Sequence, residues 1–214
     1  LLSGAKPLPL DKIGLSVDNL AALHEVVKKS YGLVLVVGPT GCGKTTTLHS
    51  VISELNTSSR KIWTAEDPIE ITQSGLRQVQ INTRIGWTFA AAMRSFLRAD
   101  PDVIMIGEMR DEEPARIAIE ASLTGHLVLS TLHTNSAPES VARLLEIGLD
   151  PFNFSDSLLA ILAQRLVRRL CTHCRESVVA DGDMLQSIAS QYLESSASNS
   201  PEARTALIQR WRGN

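Results

Sequence analysis

At 214 residues, 43% hydrophobic and 21% charged, the chain is long enough to build one sizeable core and amounts to one domain or slightly more. Its net charge of −2 supplies no global basic field and argues against a dedicated nucleic-acid surface. No apolar run approaches the roughly 18 to 20 residues of a spanning helix, so any membrane association is expected through partners. Three cysteines, two of them in one C-x-x-C, are not a secreted disulfide framework and point to a reducing cytoplasm.

Residues 1–17 carry Gly, Lys and Pro without periodicity and without an initiator Met. They read as a linker inside a longer protein, ahead of a core at 18–170 and a tail at 171–214. Asn19 to Ser30 places Leu20, Leu23, Val26 and Val27 at helical spacing, with Asp18 as the expected N-cap. The apolar run Leu33 to Val37 then leads into Gly38-Pro39-Thr40-Gly41-Cys42-Gly43-Lys44-Thr45-Thr46. This is a Walker A phosphate loop in its proper strand–loop–helix setting. The glycines let backbone N–H groups turn toward a phosphate, Lys44 reaches the β/γ-phosphates, and Thr45 is the expected Mg²⁺ ligand.

Further apolar runs at 61–65, 78–81, 103–106 and 127–131 are predicted strands, and helical spacing covers 89–99, 112–123, 138–145 and 155–170. Alternation of this kind predicts a mostly parallel, twisted sheet flanked by helices. Beyond about Arg175 the composition shifts, and Ser187 to Ser200 reads as a flexible Ser-rich link within a helical C-terminal segment.

Open parallel sheets bind ligands beyond the carboxyl ends of their strands. Polar groups follow four of the predicted strands: the phosphate loop, Glu66-Asp67-Pro68-Ile69-Glu70, Gly107-Glu108-Met109-Arg110-Asp111, and His133. Glu108 is the candidate carboxylate for orienting an attacking water; the bland alternative is a loop acid paired with Arg110. Gly107 stands where a Walker B run ends in Asp. Glu66 is a candidate for holding Mg²⁺ through water or placing the nucleophile, while Asp67 can equally cap a turn. Arg94 and Arg98 share a helix face at i, i+4 and are candidates for stabilising phosphoryl charge, from the same subunit or a neighbour; a solvated face is the alternative. His126 and His133 fit hydrogen-bonding or γ-phosphate-sensing roles better than a metal site. Cys171 and Cys174 form half of a zinc knuckle, two of the four ligands required.

The four boxes 38–48, 64–70, 100–111 and 124–135, in this order and spacing, resemble those of the type II secretion and type IV pilus assembly ATPases, a resemblance running from roughly Pro7 to Arg175. It implies a RecA-like P-loop fold and an ATPase motor using ATP and Mg²⁺. Lys44 and Thr45 would be its Walker A residues, Glu66, Asp67 and Glu70 its Asp box, Glu108 its catalytic carboxylate, and His126 and His133 its His box. Arg94 and Arg98 then fall where the family places arginines that touch nucleotide or a subunit interface. Gly148 to Cys171 resembles the assembly or secretion branch, with Gln164 and Arg165 expected near the adenine. The resemblance further implies a homo-hexamer in the bacterial cytoplasm, held to the inner membrane by a platform protein and the pilus or secretion machinery. It also implies a preceding domain that supplies arginines and a second C-x-x-C that completes a Zn²⁺ site, so this stretch alone is expected to turn over weakly. Two other functions are compatible with the residues: a nucleic-acid motor, and a nucleotide-gated interaction module.

Overall fold

The computed structural model describes residues 6–194 and 200–212. The chain divides into two compact units, Leu1–Val167 and Arg168–Asn214.

The first unit is built on a sheet of six strands, all parallel: β1 (Gly32–Val37), β2 (Ile62–Glu66), β3 (Arg77–Gln80), β4 (Val103–Ile106), β5 (Leu127–Leu132) and β6 (Leu158–Ala163), in the order β3-β2-β4-β5-β1-β6. Parallel strands are wrapped on both faces, so the inner ones read as continuous apolar runs. Every residue of β1, β4 and β5 is buried. Alternate side chains then serve two cores. Val34, Val36, Met105 and Leu129 face α1 (Val17–Val27) and α2 (Lys44–Leu55), meeting Leu23, Val27, Leu48 and Ile52. Leu33, Leu35, Ile104 and Val128 face α3 (Phe89–Leu97) and α4 (Glu112–Leu123), meeting Met93, Phe96 and Ala118. Trp63 of β2 packs on Phe96 with ring centroids 5.0 Å apart. Helices α5 (Ala137–Glu146) and α6 (Pro151–Ser157) complete the second face, contributing Leu144 and Phe154 to its core.

Three expectations change. The cap of α1 is Ser16, whose hydroxyl accepts from the N–H of Asn19, and Asp18 lies in the first turn, where a carboxylate favours the helix dipole. Leu10, in the segment read as a linker, is 1% exposed within the α1/α2 core, held by a 3-10 turn at Leu10–Lys12. The helix read over 155–170 ends at Ser157, and β6 takes its place. A short continuous apolar run has no periodicity to separate strand from buried helix, and pairing with β1 decides it: Val34 opposes Ala160 and Val36 opposes Leu162. At the start of that pairing a Cβ on Gly32 would lie 2.5 Å from Leu159, and φ there is +123°. Only glycine fits that approach.

In the second unit, Cys171 and Cys174 occupy an exposed turn in which the N–H of Arg175 donates to the Cys171 carbonyl at 3.0 Å. Two helices follow, α7 (Gly182–Leu193) and α8 (Pro201–Arg212), joined by an edge-on contact of Tyr192 with Trp211 at 6.0 Å. Helix α7 runs through Ser187 and Ser190, part of the stretch read as a flexible link; the remainder of that stretch, 195–199, lies outside the described residues.

Candidate active site

The carboxyl ends of β1, β2, β4 and β5 open into one cavity of about 490 Å³. Its floor is the phosphate loop. Gly43, with φ +88°, turns the chain into α2, whose first residues Lys44, Thr45 and Thr46 line the cavity with Thr40 and Gly41. First-turn N–H groups of a helix have no intrahelical partner, and here they open toward the space where an anion is favoured by the helix dipole. The buried Lys44 ammonium donates to the carbonyls of Gly38 at 2.9 Å and Pro39 at 3.1 Å, which poises it at the loop mouth.

Acidic groups form the opposite wall: Glu66, Asp67 and Glu70 from the end of β2, and Glu108 from the end of β4. Glu108 is only 15% exposed; its Oε2 receives Arg110 Nε at 2.7 Å and faces His133 Nε2 at 3.4 Å. Glu108 thus lines the cavity and is at the same time the partner of Arg110. The ends of β4 and β5 are tied by Thr131 Oγ1, which donates to the Gly107 carbonyl at 2.7 Å, and by the N–H of Met109, which donates to the Thr131 carbonyl at 3.1 Å.

Glu66 is 3% exposed and sits in a closed polar network. Its Oε1 accepts from Thr64 Oγ1 at 2.6 Å and Gln78 Nε2 at 2.9 Å, and its Oε2 meets His49 Nε2 at 3.1 Å. Gln73 Nε2 donates to the His49 carbonyl and reaches His49 Nδ1, both at 2.9 Å. An amide nitrogen only donates, so Nδ1 accepts and Nε2–H is the donor to Glu66. Burial pushes the Glu66 carboxyl up, but hydrogen bonds from His49, Thr64 and Gln78 outweigh it and hold the group below the usual carboxylate range. The sequence reading does not single out His49, Gln73 or Gln78. The available signal is an imidazole one turn beyond Thr45, between the buried Leu48 and Val51.

Other expected residues lie elsewhere. His126 precedes β5, at the opposite end of that strand from His133; its Nδ1–H donates to the Ala121 carbonyl at 3.0 Å, sealing the end of α4. The six residues of β5 lie between them, and seven residue steps at roughly 3.3 Å each hold the two histidines about 23 Å apart. Arg94 is exposed and paired with Glu113 of α4, and Arg98 donates to Ser95 Oγ at 3.2 Å; neither lines the cavity. Gln164 lies behind the phosphate loop and Arg165 donates to Asn135 Oδ1 at 3.0 Å; neither lines the cavity. In the second unit, backbone N–H groups of His173 and Cys174, with the Cys174 thiol, hold the Cys171 thiol below its ordinary value. Among the described residues no group of three or more His, Cys, Asp or Glu is placed to hold a metal ion, so Cys171 and Cys174 remain two ligands without a third.

A family model described as type II/IV secretion system protein matches residues 2–210. The chain is 55% identical over 168 residues to the type II secretion system protein HxcR of Pseudomonas aeruginosa, covering 78% of this chain and 36% of that protein. It is 57% identical over 169 residues to the type IV pilus assembly ATPase PilB of Myxococcus xanthus, covering 79% and 30% respectively. It therefore spans 30% to 36% of the length of these two curated relatives. Among solved structures, the pilus retraction motor PilT with bound ADP matches with a TM-score of 0.67 at 39% identity, over 78% of this chain and 50% of that one. The Legionella pneumophila ATPase DotB matches with a TM-score of 0.62 at 34% identity, over 72% and 44%. The parallel sheet with its phosphate loop is thus the fold of this group of P-loop ATPases, as the four sequence boxes imply, and the chain belongs to the type II/IV secretion system protein family.

Proposed function

We propose that this chain is the RecA-like core of an ATPase motor that hydrolyses ATP to power type IV pilus assembly or type II secretion. The observation that carries the reading is the convergence, in one cavity, of Lys44 and Thr45 on one wall with Glu66 and Glu108 on the other. Its volume falls within the range of small-ligand sites. The loop N–H groups and Lys44 bind the β- and γ-phosphates. Glu108 orients a water: a P–O bond forms to the γ-phosphorus, the bridging bond to ADP breaks, and the water's proton passes to the carboxylate. Thr45 and Glu66 are oxygen donors suited to a hard cation that keeps most of its water, so they fit Mg²⁺, which when bound neutralises charge on the phosphates. His133 and Arg110 hold the Glu108 carboxylate and are placed to respond to the γ-phosphate. Arg94 and Arg98, which do not line this cavity, are offered to the site of a neighbouring copy in a homo-hexamer.

No helix among the described residues is long and apolar enough to cross a membrane. Attachment at the cytoplasmic face of the inner membrane is accordingly assigned to a platform protein and the pilus or secretion machinery. The test is MgATP turnover and binding by this chain, by its Glu108→Gln variant, and by both extended to the length of the relatives. The expected outcome is turnover that rises on extension and falls about 100-fold or more in Glu108→Gln, with MgATP binding kept. One observation favours a second reading: Glu108 Oε2 is already engaged by Arg110. If MgATP binds to every version and none turns it over, the pair does not open and the chain is a nucleotide-gated interaction module.

A further inference from the structure

Gln164, the first residue after β6, does not line the cavity, yet it touches every part of the strand–loop–helix unit that forms its floor. Its N–H donates to the carbonyl of Val37, the last residue of β1, at 2.9 Å. Its side-chain Nε2 donates to the Cys42 carbonyl, inside the loop, at 2.6 Å. Its Oε1 accepts from Thr47 Oγ1, in the first turn of α2, at 2.9 Å. The amide's orientation is forced: a backbone carbonyl only accepts, so the NH₂ must face Cys42, which leaves Oε1 to the Thr47 hydroxyl.

The consequence follows from peptide geometry. In a planar trans peptide the C=O of one residue and the N–H of the next point in opposite directions. Gln164 holds the Cys42 C=O behind the loop, so the Gly43 N–H is aimed the other way, into the cavity that Gly43 lines. Gly43 also allows the approach: with φ +88° and no side chain it leaves Gln164 Nε2 3.3 Å from where a Cβ would be. We infer that Gln164 is a positioning residue for the phosphate loop, fixing the Cys42–Gly43 peptide so that the Gly43 N–H is preset to bind a nucleotide phosphate. The inference rests on the nucleotide reading given above and adds to it a residue that acts on phosphate only through the loop. Without this contact the peptide is free to turn, and part of the binding energy is spent on ordering it.

The test uses the whole chain and MgADP, with binding followed by calorimetry and the Gly43 amide by ¹⁵N NMR. In the wild type, saturation with MgADP is expected to move the Gly43 amide proton downfield, as a charge-assisted bond to phosphate requires. Gln164→Met keeps the length and removes the amide; Gln164→Glu keeps the length and replaces the donor with an acceptor. Both are expected to weaken MgADP about tenfold or more and to abolish the downfield move at saturation, with the unfolding midpoint nearly unchanged. Thr47→Val, which spares the Cys42 contact, is expected to cost less than about threefold. MgADP affinity within about threefold of wild type in either folded Gln164 variant, with the Gly43 shift kept, overturns the inference. So does a wild-type chain that binds MgADP without moving the Gly43 amide, a reading that needs no variant to fold. A wild-type chain that binds no MgADP overturns the nucleotide reading, and this inference with it.

Discussion

Glu66 is where burial and hydrogen bonding compete most directly. Its carboxyl is more acidic in the folded chain than in the unfolded one, so on acidification the unfolded chain takes up the proton first. The stabilisation is therefore complete above the ordinary Glu value of about 4.3 and is lost as pH falls through the lower folded value. Urea midpoints taken from about pH 5 to pH 3 are expected to fall more steeply for the wild type than for Glu66→Gln. The same network gives His49 a testable weight. His49→Leu removes the Nε2–H donor from a carboxylate that is 3% exposed, and should destabilise the chain by about 1–3 kcal/mol at pH 7, read from chemical denaturation. If stability at pH 7 is unchanged, the carboxylate finds another partner and the network is not the unit described here.

At the level of elements, the two inner faces and most of the cavity could be read from the chain, because buried parallel strands and phosphate loops leave local marks: Val103 to Ile106 is an unbroken apolar run, and Gly38 to Thr46 carries a spacing with one chemical use. What could not be read depends on partners far away in sequence. Leu158 to Ala163 has no period of its own and becomes a strand only beside β1. His126 and His133 look equivalent seven residues apart, yet a parallel sheet puts its site at one end of β5, so only His133 reaches it. Gln164 has meaning only through Cys42 and Thr47, more than a hundred positions earlier. The β1/β6 junction offers a direct check. Gly32→Ala forces a Cβ to within 2.5 Å of Leu159 at φ +123°, and is expected to cost on the order of 2 kcal/mol or more. An unfolding free energy equal to that of the wild type would mean that β6 is not paired in this register.

For the molecule as a whole, Cys171 and Cys174 lie in the second unit and the phosphate loop in the first. With two thiols and no third ligand among the described residues, Zn²⁺ is expected to bind this chain loosely and to be removed by a chelator. After re-addition of Mg²⁺, the affinity for MgADP should equal that of untreated protein; a lasting drop would show that the thiol turn supports the nucleotide site. The strand order also sets a timetable. Val34 in the middle of β1 pairs with Leu129 and Ala160, which follow it by 129 − 34 = 95 and 160 − 34 = 126 positions. Contacts of such separation form late, since loop closure must precede their reward. On the ribosome, β1 therefore emerges as a wholly apolar strand that waits for both neighbours, and the adjoining loop can take its final shape only after β6 has been made. A nascent chain stalled before Leu158 would hold the complete phosphate-loop motif without the strand that settles its conformation, and would leave the β6 edge of β1 unpaired and open to aggregation.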